Sequence, residues 1–130
     1  MAQTIVVALI EHDGKVLVGK QNRPESSLYN AWHIPAGIAE EGETEESAIV
    51  REMHEETGLE IKIDRFLAER SFPEKNRNAR WYLCHPTTTD VKAGDDLSEA
   101  RFIPKSEVIT FCDPRANSLM PKEIAEYLRR

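Results

Sequence analysis

The chain has 130 residues, with 23 acidic against 17 basic side chains and a formal charge of −6 at pH 7. That length suits one domain, spanning residues 1–130, with a core of its own. The negative balance excludes a protein that coats nucleic-acid polymers, which needs a basic surface, but it leaves a nucleotide substrate open, because a bound cation reverses the local field.

Thr4–Ile10 is a β-branched apolar run that predicts a buried strand. It has no basic residues before it and is too short for a signal or membrane helix, so a cytoplasmic protein with no membrane partner is expected. His12-Asp13-Gly14 predicts a turn and Lys15–Lys20 a second strand, together a hairpin. Residues 21–31 form a polar loop; Lys20 and Arg23 at its edge are placed to meet phosphate, against the plainer reading of solvated surface cations. Trp32–Ile34 reads as a short strand, with Trp32 packing at a sheet edge or stacking on a base.

Residues 44–57 predict a helix. Thr44 is its N-cap, Glu45 and Glu46 face the positive end of its dipole, and Gly58 suits the left-handed position after its last turn. At roughly 100° per residue, Glu52, Glu55 and Glu56 share one arc, while Ile49, Val50, Met53 and Thr57 lie on another side that would pack on a core. Glu60–Ala68 alternates polar and apolar, a half-exposed strand; 73–78 is a charged turn, and Arg80–His85 a further strand ended by Pro86. Phe72 and Trp81 read equally as core or as the face of a homodimer. Residues 87–98 form a polar loop holding Gly94-Asp95-Asp96, and Ala100–Ile103 is a last short strand. One helical turn follows at 104–108, and Pro121–Arg130 is a helix with proline in its first turn and arginines at its end. This order of elements predicts an α+β fold, a mixed sheet covered on both faces. Cys84 and Cys112 lack metal-type spacing and read as reduced thiols of a cytosolic protein.

The chemistry concentrates between Gly37 and Leu59. Written as a pattern the stretch is G-x5-E-x7-R-E-U-x-E-E-x-G-U, with Glu43, Arg51, Glu52, Glu55, Glu56 and Gly58 at the specified positions and Met53 and Leu59 as the apolar U residues. Three crowded carboxylates repel one another unless something positive sits among them, and magnesium, which prefers oxygen ligands and binds through carboxylates and substrate phosphates, is the obvious partner. Arg51 can pair with Glu55 one turn on or with Glu43 across the loop, and the Gly37 carbonyl can approach the metal. A glutamate-rich helix is usually just a solvated face; that reading does not explain why the glycines, the arginine and the carboxylates all fall on one pattern. His33 and His54 read as bystanders, since imidazole matches an all-oxygen magnesium site poorly.

The stretch resembles the Nudix box at every specified position, and Trp32–Gly37 looks like the family's W-x-x-P-G-G lead-in, with Ala36 in place of the first glycine. The resemblance implies an α/β/α sandwich that hydrolyses nucleoside diphosphates linked to another moiety, with magnesium or manganese. It implies that Glu52, Glu55 and Glu56 bind metal or activate water, that Arg51 and Glu43 brace the box, and that Gly37 gives its carbonyl to metal. Glu52 or Glu56 would orient or deprotonate the water, and the later carboxylate that family members recruit would be Glu99, with Asp96 behind it. Phe111–Asn117 looks like the P-x-A-N stretch of MutT-type triphosphatases, which makes Asn117 a base reader, against a turn or capping asparagine. The expected activity is pyrophosphohydrolysis of a nucleoside triphosphate; the alternatives are an ADP-ribose, nucleotide-sugar or dinucleoside polyphosphate hydrolase, and a Nudix-fold module that binds a nucleotide without cleaving it.

Overall fold

The computed structural model describes residues 2–130. Its elements in chain order are β1 (Gln3–His12), β2 (Lys15–Gln21), β3 (Trp32–His33), β4 (Ala36–Ile38), α1 (Glu45–Thr57), β5 (Ile61–Phe72), β6 (Arg77–Pro86), β7 (Leu97–Pro104), α2 (Val108–Phe111), α3 (Pro114–Asn117) and α4 (Lys122–Leu128). β1 lies at the centre. It pairs parallel with β6 from Gln3↔Arg77 to Ile10↔Cys84 and antiparallel with β4 on its other side, while β5 pairs with β6 at the outer edge. β1 turns into β2 through Asp13 and Gly14, both at positive φ (49° and 75°), the backbone that a tight two-residue hairpin demands. β2 then carries β3 on one edge and β7 on the other. The sheet is therefore mixed, as the order of elements predicts.

Alternation along β1 and β6 sorts the core into two layers. Val7 and Leu9 pack with Ala79, Trp81 and Leu83 under Val108, Ile124 and Leu128 of the C-terminal helices. Val6, Ala8 and Ile10 pack with Tyr82 and Cys84 under Ala48, Ile49 and Met53 of α1. Truncating any of the fully buried Leu9, Ile10 or Met53 to alanine would cost about 2–5 kcal/mol. Trp81, which reads from sequence as either core or dimer face, is core; only 6% of it is exposed, because β6 runs between two strands.

α1 is capped as its sequence predicts: the Thr44 hydroxyl accepts the Ser47 N–H at 3.1 Å, and Gly58 at φ 73° donates to the His54 carbonyl. Its buried side differs from the expectation in one respect. Val50 is exposed, whereas Glu52 and Glu56 are buried with Ile49 and Met53, so the stripe at 49, 52, 53 and 56 that faces the sheet includes two carboxylates. β5 continues to Phe72, past the expected end at Ala68, because its pairing with β6 runs on to Phe72↔Arg77. β4 and α3 lie where no element is expected. Both cysteines are buried and free. Among the described residues no helix is long and apolar enough to cross a membrane.

Candidate active site

Arg51 on the outer side of α1 ties the preceding loop to the helix. Its Nε and Nη2 donate to the two oxygens of Glu43 at 2.8 and 2.9 Å, a bidentate pair. Nη2 also reaches the Ile38 carbonyl at 3.2 Å, and Nη1 donates to Glu52 at 3.0 Å and Glu55 at 3.4 Å. Glu43 additionally accepts the Glu40 N–H at 2.9 Å. The Arg51 guanidinium, helped by that N–H, holds the Glu43 carboxyl down at about 2. One arginine thus fixes the loop, β4 and two of the helix carboxylates in a single network.

Gly37 stands against Glu52. A Cβ built there would lie 2.2 Å from the Glu52 carboxyl carbon, so only glycine lets that carboxylate press onto the β4 backbone. Glu56 lies behind Glu52, 1% exposed and sharing a side-chain hydrogen bond with it. Burial first, and then the neighbouring Glu52 carboxylate, raises the Glu56 pKa far above the ordinary carboxylate range. Its Oε2 is buried and has no partner.

The loop after β6 folds back over the end of α1. Lys92 N–H donates to the Thr57 carbonyl at 2.8 Å and Gly94 N–H to the Glu56 carbonyl at 3.0 Å. Asp95 follows at φ 50°, and its carboxylate comes within 4.8 Å of ligand atoms of both Glu52 and Glu55. These three carboxylates form the group among the described residues that could hold a metal ion. The family resemblance points instead to Glu99 as the later carboxylate, with Asp96 behind it. Glu99 lies on β7 opposite Lys20, its carboxylate 3.9 Å from the Lys20 ammonium, and is not one of the three. Asp96 lies beside the group and pairs at 3.6 Å with Arg23.

Two cavities meet at this site. An open one is lined by Gly37, Glu52, Asp95, Asp96 and Arg23. The other, about 250 Å³, lies over the β1–β6 face and is lined mostly by apolar side chains, among them Val7, Ile34, Phe72, Trp81 and Met120, together with Asn117. Ile5 and Ala36 line both. Arg23 therefore reaches the acidic cavity and Asn117 the apolar one, whereas Lys20 lines neither. His33 is buried, donating from Nδ1 to the Ile34 carbonyl at 2.8 Å; His54 is paired with Glu60 on the surface at 2.7 Å. Trp32 packs edge-on against Phe111 at 5.0 Å with Arg101 over its ring, which makes it a sheet-edge residue.

The family model described as the NUDIX domain matches residues 1–126. The chain belongs to the NUDIX family. An ADP-ribose pyrophosphatase of Methanocaldococcus jannaschii is 36% identical over 101 residues, 75% of this chain and 59% of that protein. The CTP pyrophosphohydrolase of Escherichia coli is 36% identical over 81 residues, 62% of this chain and 59% of the relative. An 8-oxo-(d)GTP phosphatase of Mycolicibacterium smegmatis is 33% identical over 72% of this chain, which spans 29% of it. The chain thus covers less than two thirds of the length of these curated relatives. In fold, this NUDIX chain superposes on the crystal structure of a NUDIX hydrolase from Nitrosomonas europaea with a TM-score of 0.80 at 23% identity, covering 98% of this chain and 69% of the other.

Proposed function

We propose that the chain hydrolyses a phosphoanhydride in a nucleoside diphosphate linked to another group, with a divalent metal ion, and that its substrate is a nucleoside triphosphate split into a monophosphate and pyrophosphate. The observation that carries this reading is the junction at Ile5 and Ala36, where a carboxylate-rich cavity opens beside an apolar one. A nucleotide has the matching shape, an anionic chain at one end and a flat ring at the other.

The residues present fit a hard cation. Glu52, Glu55 and Asp95 converge with oxygen donors only, and Glu56 behind them keeps a buried oxygen without a partner. Magnesium suits this donor set, and manganese is a close substitute. Glu52, Glu55 and Asp95 would hold the ion, backed by Glu56. Bound there, the ion neutralises charge on the phosphate oxygens and lowers the pKa of a water. The chain's own groups do the rest. Glu52, which faces the open cavity, orients the attacking water, and the hydrogen-bonded Glu52–Glu56 pair takes its proton. The water oxygen bonds to phosphorus as the bond to the departing pyrophosphate breaks. Arg51 holds Glu52 in place through Nη1, Arg23 meets the phosphate chain at the rim, and Asn117 meets the base.

Relatives named CTP pyrophosphohydrolase and 8-oxo-(d)GTP phosphatase support a triphosphate; the ADP-ribose pyrophosphatase supports the second reading, an ADP-linked substrate. The test is a panel of standard and oxidised nucleoside triphosphates, ADP-ribose, nucleotide sugars and dinucleoside polyphosphates, assayed with magnesium for phosphate and pyrophosphate separately. Pyrophosphate from a triphosphate is the expected result. Cleavage of ADP-linked compounds alone would replace the triphosphate with the second reading, and tight binding without turnover would make the chain a binding module.

A further inference from the structure

Among the described residues, three buried side-chain polar atoms lack a hydrogen-bond partner: Glu56 Oε2, Trp81 Nε1 and Asn117 Oδ1. The first belongs to the acidic cluster. The other two residues line the same apolar cavity, from β6 on one wall and from α3 on another. A buried donor and a buried acceptor left unpaired on two residues that line one cavity call for a partner that supplies the complement.

The polarity of each group is fixed by its surroundings. Asn117 Nδ2 donates to the Ile109 carbonyl at 2.7 Å and points at the Cys112 carbonyl at 3.4 Å. Turning the amide over would set Oδ1 against two carbonyl oxygens, so Asn117 offers the cavity an acceptor and nothing else. An indole N–H is a donor only. Ser26, Gln21 and His33, which line the same cavity, are already engaged, the Ser26 hydroxyl by the Leu28 N–H at 3.1 Å, while Lys75 and Arg77 add two cations to the lining. Gln21 Oε1 accepts the Arg23 N–H at 3.0 Å, and Gln21 Nε2 faces His33 Nε2 at 3.4 Å. Because His33 Nδ1 faces a carbonyl and must carry the proton, its Nε2 is the acceptor in that contact.

We propose that Trp81 is a specificity-determining residue: its indole N–H donates to a ring nitrogen or carbonyl oxygen of a nucleobase while Asn117 Oδ1 accepts from the adjacent N–H of the same base edge. This deepens the nucleotide reading above and rests on it. A cavity of about 250 Å³, near the roughly 300 Å³ at the small end of ligand pockets, is of a size for one base. Uracil, cytosine, guanine and adenine all carry an acceptor beside an N–H. The two-atom reader therefore accepts an unmodified edge of several bases and rejects an edge whose N–H is alkylated.

The experiment is a proton–nitrogen correlation spectrum of the full, nitrogen-labelled chain, which shows two indole N–H resonances, from Trp32 and Trp81. Trp81→Phe assigns them by removing one. The ligands are the four common nucleoside 5′-monophosphates, ribose 5-phosphate, and the monophosphates of N3-methyluridine, N1-methylguanosine, N4,N4-dimethylcytidine and N6,N6-dimethyladenosine, each at millimolar concentration. The Trp81 indole proton is expected to move downfield with at least one common monophosphate, to stay in place with ribose 5-phosphate and the methylated analogue, and to leave Trp32 unmoved. Trp81→Phe should weaken the responsive nucleotide about tenfold and leave ribose 5-phosphate unchanged. A Trp81 resonance that responds to none of the nucleotides overturns the proposal, as does equal weakening of nucleotide and ribose 5-phosphate, which is what a purely structural tryptophan would give. Should Trp81→Phe not fold, the methylated analogues decide the matter on the wild-type chain. Because no turnover is read, an indole that shifts in a chain that cleaves no triphosphate would discard the triphosphate and keep the base reader.

Discussion

The two cavities that meet at Ile5 and Ala36 are built in opposite ways. On the acidic side arginine holds most of the carboxylates: Arg51 binds Glu43, Glu52 and Glu55, and Arg23 binds Asp96, while Glu56 behind them keeps an unpaired oxygen. On the other side the walls are mostly apolar, and two buried polar atoms on lining residues, Trp81 Nε1 and Asn117 Oδ1, are left without a partner. A densely cross-tied acidic site tolerates little change of geometry, because moving one member moves the rest. An apolar pocket with two free polar atoms can be re-tuned by single substitutions that leave the acidic side untouched. On the function proposed above, reaction and selectivity would thereby be separable in this fold.

The contrast is tested most severely by Glu52→Gln. It should lower kcat by roughly 10³-fold while far-UV circular dichroism and thermal stability are kept; turnover near wild type would remove Glu52 from the mechanism. Gly37→Ala is next. The new methyl must displace the Glu52 carboxylate, and a shift of about 1 Å there should cost about 10²-fold in kcat, whereas nucleoside monophosphate binding on the apolar side should be unaffected. Asp95→Asn keeps a residue that tolerates positive φ and should raise the magnesium needed for half-maximal activity about tenfold. Glu99→Gln should leave that requirement unchanged, and a reversed result would move the later ligand to β7.

The smallest effect is one of pH on the metal-free protein. Glu56 has a raised pKa in the fold, so its contribution to stability is full below the ordinary value of 4.5 and is lost as pH rises, when the unfolded chain releases a proton that the folded one keeps. In the window from about pH 7 to about pH 8, His33 is neutral in the fold, since burial lowers its pKa from 6.5, and mostly neutral in the unfolded chain, and most cysteine is still protonated. The Tm of chelator-treated protein should therefore fall by about 5 °C across that window, and magnesium should abolish the slope. A flat profile without metal would mean that Glu56 is already ionised.

Much of this architecture was legible from local signals. Asp13-Gly14 marks the hairpin, Thr44 and Gly58 bound α1, and alternation or β-branching marks β1, β2 and β5. What escaped depends on distant backbone. Ala36-Gly37-Ile38 has no strand pattern and becomes β4 only because β1 pairs with it. Asp95 reaches Glu52 and Glu55 because Lys92 and Gly94 bind carbonyls at the end of α1, contacts that leave no trace in spacing. Glu99, the carboxylate expected from the sequence, lies on β7 and pairs with Lys20 outside that group. Val50 shows the limit of periodicity in a helix that buries carboxylates: the apolar residues did not by themselves define the side facing the sheet.

The parallel ladder between β1 and β6 also sets a timetable. Its partners are separated by roughly seventy residues of sequence, and long-range pairing of this kind slows folding because loop closure must precede the contacts that reward it. The hairpin and α1 rest on local contacts, though each is marginal until the sheet packs against it. Neither cavity does, since one wall of the apolar pocket is β6 and Asp95 comes after it. Both cavities are consequently completed only after the sixth strand has docked, once Asp95 and α3, which follow it in the chain, are in place.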